Sequence, residues 1–168
     1  MPARRVASCS SVMKISTEEF QQLLPLACEW AEQQERHILK QGVGLTPGQM
    51  ADAKLIGMAD AARIRLLSGE QIPVPEHPAL RAAAEATSLI SPLTAGLTLR
   101  HGILIRSDRW GQRRLVVHEL AHTAQYERLG GFRPFLERYL WECLSIGYPA
   151  APMEQEAIAT ERRLCGQY

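Results

Sequence analysis

The run Val116-Val-His-Glu-Leu-Ala-His-Thr-Ala-Gln125 constrains this chain more than any other, because it sets two histidines four residues apart with a carboxylate directly after the first. On a helix, side chains four apart stand one above the other on the same face, so His118 and His122 can aim an imidazole each at a single point. His-Glu-x-x-His is a pattern that holds zinc through its two histidines. Glu119 then stands beside the metal rather than on it, where it can take a proton from a water that the metal polarises. The flanking sequence fits a helix. Arg113 to Leu129 contains no Pro and no Gly, is rich in Leu, Ala, Glu, Arg and Gln, and runs into Gly130-Gly131 as its stop. The alternative reading of the same helix is an amphipathic one whose histidines lie on the surface or are satisfied in a core.

A catalytic zinc takes three protein ligands and keeps one position open. Downstream, Pro152-Met-Glu-Gln-Glu-Ala157 places Pro152 as the first residue of a helix that continues through Ile158, Arg162 and Leu164. Glu154 falls in its first turn, where the helix dipole favours a carboxylate. The preceding Gly147-Tyr-Pro-Ala-Ala bend lets this helix fold back on the first.

His118, Glu119 and His122, followed at this distance by a Glu-x-x-Ala helix, resemble the gluzincin group of zinc metallopeptidases. The likeness is nearest to small, single-domain bacterial gluzincin-like proteins with a Pro-x-Glu-x-Glu-Ala helix, and it covers about the last seventy residues. The resemblance implies His118 and His122 as zinc ligands, Glu119 as general base and Glu154 as third ligand with Ala157 in register; Glu156 is the fallback. It also implies a zincin-like fold, a Zn2+ cofactor and a peptide or protein substrate. Two features depart from relatives. Where many carry an Asp four residues after the ligand Glu to orient a histidine, this chain has Ile158, and the Gly and third His of metzincins are missing downstream. Such peptidases often use a Tyr or His to stabilise the oxyanion, for which Tyr126 and Tyr148 are candidates.

A chain of 168 residues with 46% hydrophobic side chains can bury one core, so a single domain over residues 13–168 is expected, preceded by a loose, disordered tail at residues 1–12. Met13 is an alternative start. A formal charge of +1 leaves no net basic field for nucleic acid, and no apolar run approaches a membrane span. Cys9, Cys28, Cys143 and Cys165 are scattered with no Cys-x-x-Cys pair, and the Arg-bearing start lacks an apolar segment, so a reduced, cytoplasmic setting is expected.

Ser16-Thr-Glu-Glu19 is a capping box opening a helix with Phe20, Leu23, Leu24, Ala27, Trp30, Ala31 and Ile38 at helical spacing, which Pro25 should kink or divide and Gly42 should end. Thr46 to Gln49 opens another, and Arg63 to Leu67 reads as a strand. Gln71 to Pro78 must be extended, with Pro78 starting a helix that Ser91-Pro92 closes. Leu97 to Arg100 and Ile103 to Arg106 form a hairpin around His101-Gly102, and Ile103 to Arg106 is a candidate edge for pairing with an extended substrate. Phe132 to Leu144 is a helix with an apolar stripe. Lone His37 and His77 read as surface or satisfied residues. The expected architecture is therefore α+β: a small β-sheet, a metal helix and a C-terminal helix that completes a His-His-Glu site. Two functions of different class suit it, a zinc metallopeptidase and a catalytically silent zinc-binding protein that captures a peptide or protein partner.

Overall fold

The computed structural model describes residues 15–87 and 89–166. The expected tail at 1–12, Cys9 and the alternative start at Met13 lie outside the described residues. Helix α1 (Thr17–Gln41) opens on the expected capping box: Glu19 N–H donates to Ser16 Oγ at 3.1 Å and Ser16 N–H to Glu19 Oε2 at 2.8 Å. It then runs unbroken through Pro25, against the expected kink. Pro25 and Gln21, whose carbonyl loses its partner to the proline, both lie on the exposed face, so solvent can satisfy that carbonyl.

Strand β1 (Val43–Gly44) leads to α2 (Pro47–Ile56), which Thr46 and Gln49 cap reciprocally. A 3₁₀ turn at Ala61–Arg63 precedes β2 (Arg65–Gly69), so the expected strand exists but starts two residues later than its composition suggested. Next come α3 (Pro78–Thr87), β3 (Gly96–Leu99), β4 (Gly102–Arg106), α4 (Arg113–Leu129), α5 (Phe132–Ser145) and α6 (Pro152–Cys165). Helix α4 has the predicted bounds, because Gly130 takes up the left-handed conformation (φ 96°) that closes it.

The four strands form one mixed sheet in the order β1-β2-β4-β3, antiparallel except for the β2–β4 pair. Leu99 pairs with Gly102, which makes Arg100-His101 a two-residue turn with Arg100 left-handed at φ 58°. This topology corrects the assignment of Ile103 to Arg106 as a substrate edge. Strand β4 lies between β2 and β3 with both sides paired; the outer strands are β1 and β3, and β3 lies beside α4.

Alternation along the strands divides the core. Leu66, Ile103 and Ile105 pack with Ala53 of α2 and with Val116 and Leu120 of α4, while Leu104 and Leu99 join Phe20, Leu24, Ala31 and Ile38 of α1 in a second cluster that reaches Phe132, Phe135 and Leu136 of α5. The architecture is α+β, as expected. No helix among the described residues is long and apolar enough to cross a membrane. Because Leu120 is fully buried between α4 and the sheet, Leu120→Ala should cost about 2–5 kcal/mol, read as a lower urea midpoint with unchanged slope.

Candidate metal centre

With Val116 and Leu120 committed to the sheet side of α4, His118 and His122 turn toward α6, their rings edge to face with centroids 5.0 Å apart. Glu154, only 2% exposed, fits between them. Its Oε1 is 2.9 Å from His118 Nε2 and its Oε2 is 3.2 Å from His122 Nε2. One donor atom from each of the three residues falls within 4.8 Å of the others.

Several contacts seat α6 so that this carboxylate arrives. Pro152 occupies the first turn, Gln125 Nε2 donates to Met153 O at 2.8 Å, and Met153 N–H donates to Glu142 Oε2 at 2.8 Å. Ala157 is fully buried, which allows the helix a close approach. Glu156 points elsewhere: its carboxylate takes a two-pronged contact from Arg128 at 2.8 and 2.9 Å on the surface. Of the two glutamates considered from sequence, Glu154 is the one at the histidines.

The outer nitrogens settle which face of each imidazole looks inward. The Gln125 amide nitrogen is committed to Met153 O and Glu156, so its Oε1 is the acceptor for His122 Nδ1 at 2.9 Å. His118 Nδ1 lies 3.5 Å from Glu161 Oε2, and Arg114 holds the other oxygen of that carboxylate at 2.5 Å. Both rings therefore carry a proton on Nδ1 and turn Nε2 to the same point. Two imidazole nitrogens and a buried carboxylate converging in this way need positive charge among them, from protons or from a metal ion. The donor set, two nitrogens and a carboxylate oxygen, is one that zinc accepts.

Burial alone would raise Glu154, but the hydrogen bonds from His118 and His122 hold it well below the ordinary carboxylate range. Burial likewise opposes charge on His118, yet its bond to Glu154 and the fields of Glu119, Glu154 and Glu161 outweigh that and lift it to about 9.

Glu119 stands outside the donor group, as its position in the motif implied. Thr98 Oγ1 donates to Glu119 Oε2 at 2.6 Å and also reaches Glu119 O at 3.0 Å. A Cβ at Gly96 would come within 2.5 Å of Glu119 Oε1, so the carboxylate lies directly on β3 at its glycine. Tyr148, 45% exposed, sits beside Glu154; burial first, then the charges of Glu154 and Glu119, raise its phenol. Tyr126, the other candidate oxyanion donor, is a core residue. It is 1% exposed, stacks on Phe135 at 3.5 Å and directs its hydroxyl to Thr98 O at 3.5 Å.

Four residues at the centre went unnoticed in the sequence. Glu161 is seven residues after Glu154, two turns along the same face of α6, and supplies the carboxylate that Ile158 cannot. Gln125 lies three residues after His122, a spacing that places it on the same side of α4. Tyr139, expected only as core, donates to Glu154 Oε2 at 3.1 Å, and Thr98 was one residue of a hairpin. The periodic stripe containing Tyr139 gave no sign of that hydroxyl contact, and Thr98 is joined to Glu119 only by the tertiary fold.

The four motif groups open on a cavity of about 170 Å³. Its far wall is apolar, built from Phe20, Leu24 and Ala27 of α1, Leu80 of α3 and Leu140 and Leu144 of α5. No protein-family model, curated protein or solved structure matches the chain.

If Glu154 is a ligand, Glu154→Gln should weaken zinc binding here by more than the roughly 10–100-fold that loss of a supporting residue costs, while Glu156→Gln leaves it nearly unchanged. Competition with a chelating indicator reads both. Zinc entering at neutral pH must also displace the extra His118 proton. Calorimetry in buffers of different ionisation enthalpy should thus detect proton release that fades as the pH passes about 9. In the metal-free protein the sign is fixed the same way: a raised pKa stabilises the fold below 6.5, and that contribution is lost as the pH climbs through about 9.

Proposed function

We propose that this chain is a zinc-dependent, gluzincin-like peptidase, with His118, His122 and Glu154 as ligands and Glu119 as general base. The observation that carries the reading is the placement of Glu119: a buried carboxylate beside three convergent donors, not among them, facing the same cavity. Bound zinc would polarise the scissile carbonyl and lower the pKa of water. Glu119 accepts the proton of the attacking water and returns it to the leaving amine. Thr98 fixes the carboxylate's orientation through Oε2, and Oε1, which lies over Gly96, is the oxygen we assign to the proton. Tyr148, half exposed at the cavity mouth, is positioned to donate to the oxyanion. An extended peptide can align along β3, an outer strand of the sheet, and place an apolar side chain among Phe20, Leu24 and Leu140.

One observation favours a different class. The Thr98 hydroxyl donates to Glu119 Oε2 at 2.6 Å and Gly96 packs against Oε1, so the carboxylate is tied to β3, which suits a metal-holding protein that captures a partner without cleaving it.

Glu119→Gln separates the two. It keeps size and hydrogen bonding but accepts no proton, so zinc content should persist while hydrolysis of a quenched peptide library falls by about 10²–10⁴-fold. Wild-type cleavage should favour peptides with a large apolar residue next to the scissile bond and stop with a chelator. A zinc-loaded wild type that cleaves nothing in the library, and binds partners as well as Glu119→Gln does, would replace the peptidase reading with the binder.

A further inference from the structure

Glu127 leaves α4 five residues beyond His122, about 140° farther round the helix axis, and meets the β3–β4 turn away from the first centre. His101 of that turn is 5% exposed, and neither of its ring nitrogens has a hydrogen-bond partner among the described residues. A buried imidazole in that condition is costly and calls for an explanation. Nε2 lies 3.7 Å from Glu127 Oε1, too far for a hydrogen bond. Two ligand atoms held tetrahedrally about 2.0–2.1 Å from one zinc ion would lie roughly 3.4 Å apart, close to that separation. Asp60 completes the group: one carboxylate oxygen from it, one from Glu127 and a His101 nitrogen all fall within 4.8 Å of one another.

The surroundings support coordination. Ala59 and Asp60 N–H groups donate to the two Glu127 oxygens at 2.9 and 3.0 Å, which pins the carboxylate and leaves lone pairs on both atoms. On the far side of the ring, Nδ1 is 3.9 Å from Glu35 Oε1. Glu35 is itself clamped by Arg100 at 3.0 and 2.7 Å and by His101 N–H at 3.1 Å. A metal-binding histidine commonly offers its other N–H to a carboxylate, and Glu35 is the carboxylate on that side, 3.9 Å away and so short of a hydrogen bond until the ring shifts toward it. Burial, then the charge of Arg63, lowers the basicity of His101, which keeps the ring in the neutral form that binds metal. The one competing cation, Arg63, reaches Asp60 at 3.8 Å in a pair exposed on both sides, which an incoming divalent ion can displace.

We propose that Asp60, His101 and Glu127 form a second, structural site for a divalent cation of the zinc type, one that accepts imidazole nitrogen and carboxylate oxygen together. The ion ties the segment after α2, the β3–β4 turn and the last turns of α4 to one point, with water completing its coordination.

The test isolates this site from the first. In a His118→Ala/His122→Ala double variant of the full chain, titration with zinc should show one remaining site per chain, and zinc should raise the melting temperature. Adding His101→Gln to that variant should weaken the remaining site by about 100-fold or more, and adding Asp60→Asn by at least tenfold. Asp60 is exposed, so its replacement does not threaten folding. The proposal is overturned if the double variant takes up no zinc, if zinc leaves its melting temperature unmoved, or if either added substitution leaves the affinity unchanged. An imidazolium shared between Glu35 and Glu127 in place of an ion would give the first two of these results. Failure of the first centre to bind zinc would appear instead as wild type and double variant having equal zinc content.

Discussion

The rest of the structure depends on a buried carboxylate held between two imidazoles. Glu154 is nearly inaccessible to water, and among the described residues no arginine or lysine forms an ion pair with it; its balancing groups are His118 and His122. An ionised carboxylate in that setting is tolerated only when its partners are fixed, because losing one leaves an uncompensated charge inside the protein. The surrounding interactions supply that fixity. Gln125 joins His122 to the backbone of α6, Glu142 accepts the Met153 N–H in the first turn of the same helix, and Arg114 braces Glu161 behind His118. Tyr139 adds a hydroxyl to Glu154 Oε2 from a third helix, α5. Each of these polar contacts ties α6 to α4 or to α5, so the packing of the C-terminal helix and the geometry of the centre are one structural problem.

The sheet solves the complementary one, where to put Glu119. Helix α4 has three separate duties around its axis: Leu120 to the sheet, His118 and His122 to α6, and Glu119 between them toward β3. Residue 96 has to be a glycine for the last of these, since any side chain there would strike the carboxylate. Thr98, on the same face two residues on, provides the hydroxyl that holds it. Gly96 and Thr98 thus act through Glu119, and their importance lies in its orientation.

Local signals made α4, α5, α6 and the hairpin readable from sequence, because glycine stops, Pro152 and period-2 or period-3.6 patterns are short-range features. The resemblance puts Glu154 ahead of Glu156; the roughly 200° between two residues that far apart on a helix allows only one of them to face the histidines, and Glu154 is the one that does. What could not be read was anything decided by neighbours distant in the chain. The identity of the outer strands depends on β2 inserting beside β4, which no property of Ile103 to Arg106 announces. Tyr126 looked like a donor near the motif, but stacking with Phe135 claims it for the core. Pro25 shows the reverse case, a strong local breaker overruled because the carbonyl it leaves unpaired, that of Gln21, lies on the exposed face.

The two clusters on α4 also have a mechanical relation. A helix resting on a sheet through apolar side chains can slide or rotate slightly at small cost, since such contacts are non-directional. Chemistry at a metal needs side chains held within roughly 0.5 Å, which apolar packing alone does not guarantee. Polar anchors on different faces remove that freedom. One face of α4 is fixed by Glu154 at His118 and His122; another, beyond His122, is fixed where Glu127 takes two backbone N–H groups from the Ala59-Asp60 segment and approaches His101. A helix held at two such points can neither rotate nor translate without breaking one of them. The precision of Glu119, which lies within the first anchor between His118 and His122, follows from that restraint together with its own hydrogen bond to Thr98.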